Sequence, residues 1–205
     1  QDRVLALDFL YVVGMLVMLV LAIRADSEMY FEAALLMVLF GFVSSVALAM
    51  VLAFEPTERE VMRRPPRPPG APVISGFLVW RILLVSLLFL AGIFGMFELA
   101  LLRGAPVEEA RTVAVNTLVA MEVFYLFSVR YLRAPSFTFE GVKGTKPVLI
   151  AVFAVFGLQL LFTYAPFMET FFHSRPLSFA TGLQIVAVGV ALLVRMAWNW
   201  SIPDV

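Results

Sequence analysis

Residues 52–70 read LAFEPTEREVMRRPPRPPG, the one long polar stretch in a chain that is otherwise mostly hydrocarbon. Arg59, Arg63, Arg64 and Arg67 are interleaved with prolines there. Proline removes a backbone donor and clashes with the preceding turn, so this stretch cannot continue a helix and belongs in water. Arginines near the ends of short loops stay cytoplasmic, so this loop fixes one side of a membrane, and every other segment takes its orientation by alternation.

On either side of the loop the composition is that of a membrane protein. Hydrophobic residues make up 62% of the 205, far above the about 45–50% of a soluble domain. A helix needs about 20 mainly apolar residues to cross a hydrocarbon core about 30 Å thick. Six stretches qualify, at residues 4–23, 30–54, 74–102, 110–131, 147–167 and 179–198. Their apolar character is continuous rather than alternating, and backbone in lipid must satisfy its own hydrogen bonds, so helices are expected and a barrel is not. The expected fold is all-α: a polytopic membrane protein, residues 1–205 forming a single six-transmembrane-helix bundle. The first apolar segment is too long for a signal peptide and has no small-residue cleavage site, so it counts as a span. Cysteine is absent, which excludes disulfides and thiolate metal sites.

Lys and Arg total 15 and so do Asp and Glu, but the balance hides a segregation. Arg130, Arg133, Lys143 and Lys146 fall on the same side as the 52–70 loop, as do Arg3 and Arg195. The opposite side mixes Arg24, Arg103, Arg111 and Arg175 with Asp26, Glu28, Glu108, Glu109 and Glu169. Both termini are therefore expected in the cytoplasm, in a multi-pass protein of a bacterial inner membrane. The expected partners are the lipid bilayer and other membrane subunits, with no nucleic acid. Glu108 and Glu109 complement the dipole at a helix start, Pro147 suits a first turn, and Trp198 and Trp200 mark an interface. Gly92 with Gly95, and Ala187 with Ala191, have the spacing that lets helices approach closely.

Three stretches carry a family resemblance. AFEPTEREVMRRPPRPP (53–69) resembles the loop between two helices of the C-terminal transporter domain of cation-transporting P-type ATPases of the calcium-pump-like class. RTVAVNTLVAME (111–122), and YAPF (164–167) followed by PLS (176–178), extend the resemblance in order from about residue 43 to the end. The resemblance implies that Glu122 aligns with a carboxylate that ligates the transported ion. It also implies a loss: the family's asparagine, threonine and aspartate in the preceding helix fall on Gly41, Ser44 and Ser45. In the first span only Asp8 is acidic, near the cytoplasmic end. A hard cation needs several charged or carbonyl oxygens, and Glu122 alone does not supply them.

Each polar group within a span is a candidate. Glu122 is either a metal ligand, live or vestigial, or a neutral acid bonded to a neighbouring helix. Asn116 lies about 120° around the helix from it and suits an interhelical hydrogen bond. Ser44 and Ser45 suit bonds to carbonyls one turn earlier. Gln159 and Gln184 suit bridges between helices. Arg81 is placed to snorkel to its interface, Glu98 lies near the opposite one, and His173 sits in an outside loop. The family's Asp-Lys-Thr-Gly phosphorylation motif is missing from these 205 residues, and no P-loop or nucleophile–His–acid arrangement replaces it. No enzyme activity and no cofactor are expected. Three readings stay open: a non-catalytic accessory subunit, a fragment or subunit of a cation pump, or a small ion-binding module using Glu122.

Overall fold

The structure is a computed structural model that describes residues 16, 19–20, 23–24, 28–54, 76–129 and 145–199. These residues hold six helices and no strand: α1 Glu28–Leu52, α2 Gly76–Leu102, α3 Val107–Val129, α4 Lys146–Tyr164, α5 Pro166–Phe172 and α6 Phe179–Asn199. All but α5 are long and apolar enough to cross a membrane. Most of the expected span at 4–23, with Asp8, lies outside the described residues, as do the arginine-proline loop beyond Phe54, the cations at 130–143, and Trp200.

The turns follow from local chemistry. At the end of α2, Gly104 adopts a φ of 81°, a left-handed conformation that costs glycine little. Its N–H reaches the Leu101 carbonyl at 2.9 Å, and the Ala105 N–H reaches that of Ala100 at 3.1 Å, a carbonyl that also accepts from the Arg103 N–H at 3.2 Å. Pro106 follows, and α3 opens at Val107, three residues before the expected start, with Glu108 and Glu109 in its first turn. The expected span 147–167 is interrupted. Ala165 is extended (φ −79°, ψ 129°), because the residue before proline is driven out of the helical region, and Pro166 starts the separate helix α5. Ser178 then caps α6, its Oγ accepting from the Thr181 N–H at 3.1 Å.

The packing is centred on α3. It contacts α2 and α6 strongly and α1 nearly as strongly, while α4 leans mainly on α1. In α3, 67% of Val107–Ser128 is buried, against between 22% and 35% of the other four spans. It is also the least apolar of the five. Lipid tails are as apolar as leucine, so the helix that carries the polar groups belongs inside and the oilier helices face the bilayer. Ile150 and Phe153 on α4, Leu83 and Leu87 on α2, and Leu183, Val186 and Val194 on α6 are exposed accordingly.

Close approach is set by two glycines. A Cβ on Gly189 of α6 would lie 2.2 Å from a ring carbon of Phe124, and one on Gly92 of α2 would lie 2.7 Å from the Met121 sulfur. Gly95 differs from the expectation, because a Cβ there would meet nothing within 4 Å. Ala187 and Ala191 are likewise exposed. Their spacing is right, but they point away from α3. A cluster of Phe40, Phe162 and Phe172 ties α1 to α4 and α5, with the first two ring centroids 4.1 Å apart.

Candidate functional site

The contact between α1 and α3 brings together two of the residues singled out in the sequence. Ser44 turns inward from α1 and Glu122 from α3, and both are buried. Ser44 Oγ reaches two oxygens, the Gly41 carbonyl at 3.0 Å and Glu122 Oε2. Glu122 Oε1 has no protein partner. Glu122 lies seven residues before the end of α3, about 10 Å along the helix at about 1.5 Å per residue, so it sits well inside the bilayer. Ser45 is also buried. Among the described residues, no group of three His, Cys, Asp or Glu comes together.

Asn116 belongs to a separate polar locus, between α3 and α4. Its Nδ2 donates to the Thr112 carbonyl at 2.8 Å and to Thr163 Oγ1 at 3.0 Å. Thr163 Oγ1 in turn donates to the Gln159 carbonyl at 2.8 Å. The Gln159 side chain is less well served: its Nε2 is buried with no acceptor, where a bridge between helices was expected. Gln184 does bridge, accepting from Arg103 Nη1 at 2.7 Å and so pinning the α2–α3 turn to α6.

Other contacts carry no signal within a single segment. Arg111 on α3 pairs with Glu32 on α1, an ion pair between residues 79 apart in the chain that holds one end of the Ser44–Glu122 interface. The Arg175 N–H donates to Thr112 Oγ1 at 3.0 Å, laying the segment before α6 across the start of α3. Arg81, placed by sequence at its interface, is instead buried, its guanidinium carbon 6.0 Å from the centre of the Tyr125 ring. An aromatic face there offers a cation–π contact where a snorkelling path was expected. His173 is an exposed left-handed residue closing α5, with φ 52°.

Residues 29–200 match the family model of the cation-transporting ATPase C-terminus. Residues 1–53 match a second model, multiple resistance and pH regulation protein F, and the two overlap along α1. A probable cation-transporting ATPase F of Mycobacterium tuberculosis is 37% identical over 162 residues, covering 79% of this chain and 18% of that protein. A cation-transporting ATPase of Synechocystis is 32% identical over 142 residues, 67% of this chain and 16% of the relative. A probable K(+)/H(+) antiporter subunit of Rhizobium meliloti is 48% identical over 52 residues, 25% of this chain and 56% of that relative. The chain thus spans less than a fifth of the length of these ATPase relatives, and the matched part is their membrane domain. With the family match running through all five spans and through the Ser44–Glu122 contact, this chain belongs to the family of cation-transporting ATPase C-terminal domains.

Proposed function

We propose that this chain is a non-catalytic subunit of a larger membrane complex, its ATPase-like helices serving as a scaffold and no longer as an ion path. The observation that carries this reading is the closure of the α1–α3 interface at Ser44 and Glu122. Ser44 has one hydroxyl proton and two oxygen neighbours, of which the Gly41 carbonyl can only accept. Both contacts are satisfied together when Glu122 is a neutral acid that donates its own proton to Ser44. A hydroxyl and a neutral acid make a sound interhelical bond and a poor cation site. The likeness of residues 1–53 to an antiporter subunit supports membership of a multi-subunit assembly. The bilayer is the first partner. The location is a bacterial inner membrane, with both termini in the cytoplasm.

A second reading has its own support. Glu122 is retained, its Oε1 is free of protein partners, and the ATPase relatives are far longer than this chain. The chain would then be a fragment or subunit of a cation pump, or a small ion-binding module built on Glu122.

Affinity purification of the tagged chain from its native membrane in mild detergent, followed by sizing and identification of the copurifying chains, separates these readings. The scaffold reading expects a stable assembly of integral membrane proteins without ATP hydrolysis. Recovery of the chain alone would overturn it. So would a stoichiometric partner that carries the phosphorylation motif and forms a phosphoenzyme.

A further inference from the structure

The turn between α2 and α3 closes over a cavity against the start of α6. Arg103, just past the end of α2, lines it, and so does Glu109 in the first turn of α3. Opposite charges on one cavity are expected to pair, yet these two do not. Arg103 is drawn aside, its Nη1 donating to Gln184 Oε1 at 2.7 Å. The rest of its guanidinium keeps several N–H donors free for another acceptor. Among the described residues, the Glu109 carboxylate has neither a hydrogen-bond nor an ion-pair partner. The other polar side chains of the lining are occupied, Gln184 by Arg103 and Thr181 by Ser178, whose hydroxyl oxygens lie 2.8 Å apart. The cavity therefore presents one cation and one anion held apart.

Those two charges select the class of ligand. A simple anion is repelled by Glu109 and a simple cation by Arg103, so only a ligand with both signs at separate points is drawn to both. The lining also changes with depth. Met96 and Leu99 of α2 and Val113 of α3 are apolar, and Met96 lies seven residues before Arg103, about 10.5 Å further along the span Val79–Leu102. A cavity that is charged where the chain leaves the span and apolar further in matches a zwitterionic lipid standing in its own leaflet. A soluble zwitterion gains nothing from the apolar end. The ligand's cation is narrowed as well. None of the residues that line the cavity is aromatic, so a quaternary ammonium finds no ring face to sit on. A primary ammonium instead donates charge-assisted hydrogen bonds directly to a carboxylate. We infer that the cavity beneath the α2–α3 turn binds the headgroup of phosphatidylethanolamine, its phosphate on Arg103 and its ammonium on Glu109.

The test is native mass spectrometry of the purified chain, delipidated in a maltoside detergent and titrated with phosphatidylethanolamine, phosphatidylcholine or phosphatidylglycerol of identical acyl chains. The parent is expected to take up one phosphatidylethanolamine about fivefold more tightly than either of the others, the scale of one charge pair at a partly exposed site. Glu109→Gln, at a side chain with no partner to lose, is expected to abolish that preference while leaving phosphatidylcholine binding nearly unchanged. Arg103→Gln is expected to weaken all three, since each carries a phosphate. Glu169→Gln, on α5 and outside the cavity, is expected to leave the preference as it is. Equal affinity for the three lipids would overturn the inference, and so would a preference that survives Glu109→Gln. Free phosphoethanolamine, added at the concentration of the lipid, is expected not to displace it. Full displacement would make a soluble zwitterion the ligand and overturn the assignment to a lipid.

Discussion

Whether an ion still visits these helices turns on one side chain, Glu122. If its neutral carboxyl bonds Ser44, glutamine can replace it, because an amide of the same shape still offers the hydroxyl both a donor and an acceptor. Glu122→Gln is then expected to lie within about 1 kcal/mol of the parent, since a typical internal hydrogen bond contributes only about that much and this one is retained in kind. Thermal unfolding in detergent across a calcium, magnesium, sodium and potassium series is expected to show no saturable cation dependence for either protein. A cation present at 100 times its Kd would add about 2.7 kcal/mol, so a titrating melting shift in the parent alone would restore the ion-site reading. At this scale the sequence announces the participants but not their meeting. Glu122 and Ser44 stand out because each is polar within an apolar run, whereas their contact, between residues 78 apart, depends on how the two helices that carry them are rotated. The sequence misplaces Arg81 for the same reason: nothing in its own helix reveals that Tyr125 of another helix covers it.

Between helices, small residues set the distances, and their spacing says less than their direction. Gly189 receives the Phe124 ring against bare backbone, while Gly95 faces open space. Gly189→Ala is therefore expected to cost about 1–3 kcal/mol, the range for overpacking, because the ring must leave its place for α6 to stay on α3. Gly95→Ala is expected to stay within about 0.5 kcal/mol, as substitutions away from packed contacts do. Chemical unfolding of both variants in the same detergent, read by near-ultraviolet dichroism, checks the contrast; equal losses would mean that α3 and α6 do not meet at Gly189. The break at Ala165 is legible in the sequence, since Pro166 carries the signal, but the apolar run continues across it and gives the expected span its length. The helices themselves can be read from hydropathy because lipid permits so few alternatives for a long apolar segment.

At the scale of the molecule, the sidedness of the loops orients everything else. Reporter fusions within residues 57–70 and after residue 199 are expected to report cytoplasm, and fusions at Gly104 or at His173 the opposite side. A C-terminus reporting outside would mean that one of the described spans does not cross. The architecture has a further consequence, which concerns how such a protein is made. Membrane insertion penalises polar residues within a span, by up to about 3 kcal/mol for a charged one at the centre, and α3 carries the neutral carboxyl of Glu122 together with Asn116, Thr112 and Thr117. Taken alone it is the least willing of the five spans to leave the translocon, yet it ends as the hub of the bundle. Its place in the chain eases the conflict. When Val107 emerges from the ribosome, α1 with Ser44 and Glu32, and α2 with its glycine cleft at Gly92, have already been synthesised. The reluctant helix thus has two of its three main neighbours ahead of it in the order of translation, and only α6 arrives later to close the ring.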